Sequence, residues 1–564
     1  MRILLFLLII SHSVFSQNPY PQDYFRAPLD IPLFLSGSFG ELRSNHFHAG
    51  LDIKTQQKEG LPVYAAADGF VSRIKISAYG YGKAIYIDHP NGYTTVYGHL
   101  QQAQGIVADY ILAAHYEKQE FEIELFPAAD ALPVKRGDII ALSGNSGGSG
   151  GPHLHFEFRD TKTEKVINPL FFGLDAKVAD HRKPVITTLM AYPLGEQSTV
   201  NQSQRPLAVN LSLQPDGNYI ADKITASGTI GFGIGAYDVF DKTYNKNGIY
   251  SIQTYSNGKP CFGYRFDTFS FEDGRYINAL LDYRRFKKMG LRIQKLFMPQ
   301  PYPLSIIRTT AESGIIEVTP NVTRIYKIEV SDFNNNKVML DIPIVYSELP
   351  ATVGKEEELK SDYLLKAAND NNYKKDNIAV FVPANTFYED FYLNFDVKDN
   401  VLFFHDNSVP AHSNFTITFE NTALSAAERV KTFIAAVDGK KVSYLPTRRK
   451  DSAFTAYAKV PGQFKLAMDT IAPKIKPLNV PEGKWLSKQH NLQLTISDDM
   501  SGIKEFKGYL NGQWALFEYD YKTRKITHRF SDGIVADGRN DLKIVVSDNV
   551  GNSVIFETHF FRKK

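Results

Sequence analysis

Three sequence anchors recur in the same order in two parts of this chain, and they limit how much of it belongs to any one fold. Asp180-x-x-x-Pro184-x-Ile186 returns as Asp469-x-x-x-Pro473-x-Ile475. Tyr237-Asp238, Asn247-Gly248-Ile249 and Asn257-Gly258 return as Ser497-Asp498, Ser501-Gly502-Ile503 and Asn511-Gly512, with the two glycines equally spaced in each copy. Val330-Ser331-Asp332 with Asn336 returns as Val546-Ser547-Asp548 with Asn552. Two copies of one β domain are therefore expected, over about 180–347 and 469–564, the first enlarged by an insertion near Tyr276 to Pro303. Short apolar runs separated by turn residues predict a β-sandwich for each.

A chain of 564 residues is too long for a single core, and three to four domains are the expectation. Aromatic residues make up 13%, nearly all Tyr and Phe, which favour strands, so the expected class is mainly β. A formal charge of +3 gives no basis for nucleic-acid binding. Residues 348–377, with Lys355-Glu-Glu-Glu-Leu-Lys360 and Lys374-Lys375-Asp376, read as a polar linker. Residues 378–468 read as a further β domain with no catalytic constellation. At the N-terminus, Arg2 precedes a short apolar run and Val14-Phe15-Ser16 offers a cleavage site, the outline of a signal peptide over 1–16. The run is too short to span a bilayer, and no second stretch approaches that length. The one cysteine, Cys261, excludes a disulfide framework and a thiolate metal cluster and reads as a small buried hydrophobe.

Residues 17–175 form the unit that carries chemistry. Lys83–Asp88 and Tyr93–Tyr97 flank His89-Pro90-Asn91-Gly92 and read as a β-hairpin. A helix over 104–118 and a strand over 121–126 read as an insertion, about 103–131, between parts of a sheet. A catalytic zinc site needs three ligands and an open position; with a single cysteine, histidine and carboxylate must supply them. His153 and His155 are two apart, which on a strand puts both side chains on one face. One can bind metal while the other faces substrate. Fourteen histidines make a chance His-x-His common, and His46-Phe47-His48 is a second. The small residues of Gly147-Gly-Ser-Gly-Gly-Pro152 let a substrate chain approach closely, or form only a flexible turn. His48 and Asp52, four apart beside Gly50, suit an extended segment, as metal ligands or as a buried His–Asp hydrogen bond.

Taken in order, His48-x-x-x-Asp52, Tyr97-Gly98-His99-Leu100 and Gly151-Pro152-His153-Leu154-His155 resemble the M23 peptidase family of the LytM and lysostaphin type. The resemblance covers about 35–160 apart from the inserted stretch. It implies an antiparallel β catalytic domain with a groove across the sheet, and one zinc ion bound by His48, Asp52 and His155. It places His99 and His153 beside the metal, one for proton transfer and one for the oxyanion, without assigning which. It also implies peptidoglycan cross-bridge peptides as substrate, in the periplasm or outside the cell. Silent regulators of the family usually lack a ligand, and none is missing here. Asp469-Thr-Ile-Ala-Pro473 and Asp548-Asn-Val-Gly-Asn552 resemble bacterial immunoglobulin-like domains, which would hold the enzyme at the wall, engage an envelope protein partner, or act as a wall-binding scaffold. Among the other polar residues, His46 could compete with His48 on an extended segment but reads as an outer partner or a surface residue, His115 reads as exposed and His89 as part of a turn. Tyr97 and Asn145 suit a cleft or a structural role. Glu157, on the face of His155, either orients that ring or lies at the surface.

Overall fold

The computed structural model describes residues 18–357 and 360–563, so the signal peptide read at 1–16 lies outside the described residues. Strands dominate, nearly all antiparallel, as expected for a mainly β chain. The sheet that carries the site is built from β1 (Leu35–Gly37), β2 (Leu51–Lys54), β3 (Gly69–Ile76), β4 (Lys83–Asp88), β5 (Tyr93–Gly98) and β6 (His153–Asp160). Their spatial order is β1-β2-β6-β5-β4-β3. The hairpin of β4 and β5 turns through His89-Pro90-Asn91-Gly92, where Gly92 takes a positive φ of 84°.

The period-two alternation of β6 divides its residues between two faces. Leu154, Phe156 and Phe158 are fully buried, and Phe158 stacks on Phe172 at 3.9 Å with Phe25 edge-on at 4.7 Å. Each such side chain stabilises the sheet by about 1.5–3 kcal/mol. His153, His155 and Glu157 take the opposite face. After β5 the chain forms helix α1 (Gly105–Lys118), and Ile123–Leu125 then pairs with the outer edge of β3.

The core of this unit continues into the next. Val166–Ile167 pairs with Thr268–Phe269, and Phe39 and Phe47 pack on Phe269 and Phe266 at 4.9 and 5.2 Å. In the following unit Val185–Pro193 pairs with Ile224–Tyr237, and Arg324–Ser331 lies between Ser251–Ser256 and Lys337–Tyr346 and pairs with both. Three short helical segments occupy 273–289, within the stretch read as an insertion.

Two five-stranded sheets follow around a second core that includes Phe404, Phe415 and Phe454. The stretch read as a polar linker contributes strands to this region, Leu364–Leu365 and Asn371–Lys375. The second is an edge strand with only Tyr373 buried, and edge strands tolerate Lys and Asn because one side faces water. The last unit comprises two four-stranded sheets around a third core.

This last unit folds back onto the first. Lys83 pairs with Glu518 at 2.8 Å, Arg529 donates to Gln102 Oε1 at 2.9 Å, and Tyr79 packs on Tyr521 at 4.6 Å. On α1, Tyr116 donates to Asp532 and lies edge-on to Trp514. His115 is buried at 3% exposure, where its place in the inserted stretch predicts exposure. Its ring bonds the Glu120 carbonyl oxygen within a segment covered by a domain some 400 residues away.

Candidate metal centre

Strand register brings the site together. Asp52 on β2 stands opposite His155 on β6, and His155 stands opposite Gly98 on β5. Opposed residues present their side chains to the same face, so carboxylate and imidazole meet above the sheet. Gly98 leaves room for the ring: a Cβ there would lie 3.3 Å from His155 Cβ. His48 sits in the loop before β2. Its N–H donates to the Glu41 carbonyl and its own carbonyl accepts from Gly40 N–H, which folds the loop over the sheet.

Three donor atoms converge. His48 Nε2 lies 3.0 Å from Asp52 Oδ1, His155 Nδ1 lies 2.9 Å from the same oxygen, and the two nitrogens are 3.1 Å apart. The far nitrogens are already engaged. His48 Nδ1 donates to the Ser38 carbonyl at 2.7 Å, and His155 Nε2 donates to Glu157 Oε1 at 2.8 Å. Those bonds fix each tautomer, because a neutral imidazole carries one N–H and one lone pair. With both rings neutral, two lone pairs and a carboxylate oxygen face one buried point, an arrangement that a shared cation, proton or metal, satisfies. All three residues are under 10% exposed.

The surroundings hold this triangle in place. Arg43 binds Asp52 Oδ2 at 2.9 Å, which leaves Oδ1 for the centre. Gly37 makes room for that pair: a Cβ there would lie 2.5 Å from the guanidinium and 2.6 Å from Oδ2. Glu157 is fully buried, which disposes of the surface reading and leaves it orienting His155. It is held in turn by Arg159 at 2.7 Å and by the Tyr81 hydroxyl, and the Tyr81 ring covers His155 at 4.8 Å.

The electrostatics favour positive charge at the centre. Burial would raise the Asp52 carboxyl, but His48 and the hydrogen bonds of His153 and His155 hold it well below the usual carboxylate range. Burial opposes charge on His155, yet Asp52 and Glu157 lift it to about 9. Burial likewise works against Glu157, and Arg159 and His155 bring it down to about 2. The field that draws a proton onto this cluster would also draw a metal ion.

Two more histidines flank the triangle. His153 Nδ1 donates to the Gly151 carbonyl at 2.8 Å, and its Nε2 lies 3.4 Å from Asp52 Oδ1. His99 Nδ1 donates to the Ser146 carbonyl at 2.8 Å, and the His99 and His153 rings are 4.7 Å apart. His99 has φ of 58°, a left-handed conformation that costs a non-glycine residue of order 1–3 kcal/mol and collects at functional sites. Burial first, then the charge of His155 and His153, pushes its ring down to about 3, so it is neutral at neutral pH with Nε2 as its basic atom.

The structure thus assembles His48, Asp52, His99, His153 and His155 around one point. His46 is exposed and outside the triangle. His89 is buried against Thr95 Oγ1 and the Asp68 carbonyl, and Tyr97 is buried with its hydroxyl accepting from Ala66 N–H, so both are structural. Asn145 lies on the rim, where its carbonyl accepts from Lys522. The sequence reading missed Ser38, Arg43, Tyr81 and Gly37. Nothing in their spacing marks them; only strand register brings them near.

Residues 46–113 match the family model described as peptidase family M23, and residues 362–469 match that of a Zu5-like domain. An uncharacterized metalloprotease of Haemophilus influenzae is 37% identical over 123 residues, 22% of this chain and 20% of its own. DD-carboxypeptidase/endopeptidase Mpg of Neisseria meningitidis is 31% identical over 173 residues, 29% of this chain and 33% of its own. Peptidoglycan DD-endopeptidase ShyA of Vibrio cholerae is 32% identical over 138 residues, 23% of this chain and 26% of its own. The chain thus spans a fifth to a third of the length of these relatives.

Proposed function

We propose that the M23 peptidase domain carried by this chain makes it an exported zinc endopeptidase that hydrolyses the peptide cross-links of peptidoglycan. One observation carries the reading: His48 Nε2, His155 Nδ1 and Asp52 Oδ1 converge while both ring N–H groups are committed elsewhere. Two imidazoles and one carboxylate form a donor set that suits zinc with an open position. Zinc held there would polarise a scissile carbonyl and lower the pKa of water towards neutrality.

The chain's own residues supply the rest. His99, with Nδ1–H held by the Ser146 carbonyl, turns Nε2 towards the neighbouring ring of His153 and is placed to accept a proton and return it to a leaving amine. His153, with Nδ1–H held by the Gly151 carbonyl, keeps Nε2 beside the centre, where a proton on that nitrogen would be donated to the negative charge that develops. The buried centre limits water around these groups, which strengthens each interaction.

The printed names of the Neisseria and Vibrio relatives support the endopeptidase activity and the peptidoglycan substrate. Export rests on the apolar leader and on that substrate. Among the described residues no helix is long and apolar enough to cross a membrane.

The test is incubation of the zinc-loaded chain with purified peptidoglycan, followed by mass spectrometry of new termini, beside His155→Ala and Asp52→Ala. The parent should release cross-link peptides and both variants should not. Equal release by all three would remove the zinc mechanism. Intact cross-links with the zinc-loaded parent would make the chain a silent regulator.

A further inference from the structure

A second set of donors lies far from the peptidase centre, where the repeated anchors meet. Asp180 is in the segment that enters the second unit, five residues before the strand Val185–Pro193. Asp238 follows the strand Ile224–Tyr237, and Asp332 follows Arg324–Ser331. Sheet pairing brings these three strand ends to one edge of the unit. One oxygen from each carboxylate lies within 4.8 Å of the others, and all three residues are buried. Among the described residues, none of the three forms an ion pair within 4 Å.

Asp332 is fully engaged: Oδ1 accepts from Asn336 N–H at 2.8 Å and Oδ2 from Asn336 Nδ2 at 2.7 Å. The others are not. Asp180, 4% exposed, uses Oδ1 for Arg182 N–H and leaves Oδ2 without a partner. Asp238, 1% exposed, leaves Oδ1 without a partner. A buried carboxylate oxygen with neither donor nor cation is costly, and two in one cluster need an explanation. Burial and the neighbouring carboxylates push Asp180 up to about 7 and Asp238 to about 8, as expected where negative charge lacks compensation.

The same arrangement occurs in the last unit. Asp469 enters it five residues before Lys474–Pro477, Asp498 follows Asn491–Ser497, and Asp548 ends Gly538–Asp548. These carboxylates also converge within 4.8 Å. Asn552 bonds Asp548 through N–H at 2.8 Å and Nδ2 at 2.7 Å, and its Nδ2 reaches the Asp469 carbonyl at 3.0 Å. In the first copy Asn336 Nδ2 reaches the Asp180 carbonyl at 3.2 Å. Two domains that differ in length and insertions keep the same carboxylates on the same turn framework.

We propose that Asp180, Asp238 and Asp332 bind a divalent hard cation of the calcium class at the junction between the peptidase unit and the domain behind it. An oxygen-only donor set excludes the softer metals that prefer nitrogen or sulfur. Bonds of about 2.4 Å allow ligand oxygens to stand up to about 4.8 Å apart, wider than the compact magnesium shell allows. The cation joins the entry segment, through Asp180, to two turns of the domain. It therefore fixes the direction in which the chain leaves the peptidase unit. The site is independent of the zinc reading.

The test uses the full zinc-loaded chain in calcium-free buffer. Bound calcium is counted by elemental analysis after equilibration with calcium chloride, for the parent and for Asp238→Asn, and melting is followed with and without calcium. The parent should bind calcium and melt several degrees higher with it, and Asp238→Asn should hold one equivalent fewer. The substitution replaces a buried, incompletely partnered carboxyl with a neutral amide of the same shape, so the cation-free variant should melt no lower than the cation-free parent, which separates lost binding from lost folding. A parent that binds no calcium at millimolar concentration, or a variant that keeps every equivalent, would overturn the proposal.

Discussion

At the scale of single residues, the centre depends on atoms that never touch the proposed metal. Glu157 and Ser38 set which imidazole nitrogens carry protons, and Arg43 sets which Asp52 oxygen faces inward. Glu157→Gln keeps the shape but weakens the acceptor that orients His155. Such outer partners typically change metal affinity 10–100-fold. Competition with a chromogenic chelator should show a loss in that range for Glu157→Gln and for Arg43→Ala, with the fold retained. Gly37→Ala should act in the same direction, since its methyl would strike both members of the Arg43–Asp52 pair. His99→Ala should behave differently: zinc content stays at one ion per chain while turnover on cross-linked peptide falls about 10²–10⁴-fold, the usual contribution of a positioned acid or base.

At the scale of elements, the loop that carries His48 is braced by the domain behind it. Gly248 N–H donates to Ser38 Oγ at 2.9 Å, and Phe47 packs on Phe266, which is 1% exposed. Phe266→Ala should destabilise the chain by about 3–5 kcal/mol in denaturant titration, the range for a buried aromatic. It should also lower zinc affinity, although residue 266 lies outside the peptidase unit. This coupling was hidden from the sequence. The four site histidines and the aspartate were legible because their spacing suits extended segments and their order matches a family pattern. Glu157 was half legible, since its i+2 spacing from His155 gave its face but not its burial. Arg43, Tyr81 and Gly248 were not legible, because strand register and a neighbouring domain bring them in. The repeat was legible in its turns, where Asp and Asn bond their own backbone, and its β class in the Tyr and Phe content. The edge strand at Asn371–Lys375 read as linker because a half-solvated strand has linker composition.

At the scale of the molecule, the last unit reaches back to the rim of the centre. Lys522 donates to the carbonyls of Asn145 and Ser149, on the loop that leads into His153. An exposed contact of this kind adds little stability, but it restrains a loop beside the groove. Lys522→Ala should leave the melting midpoint within a degree and raise amide hydrogen exchange of residues 145–150 several-fold. An unchanged exchange pattern would mean that the two units merely touch there. The same closure explains the burial of His115, and it makes the distant β domains part of the environment of the peptidase unit. Zinc binding as proposed nevertheless requires the buried triangle of His48, Asp52 and His155. Zinc-edge X-ray absorption on the purified full chain probes that triangle most directly. The proposed centre should give one four-coordinate zinc with two imidazoles and oxygen ligands, lost in His155→Ala. A zinc shell without imidazole scattering, or a spectrum unchanged by that substitution, would contradict it.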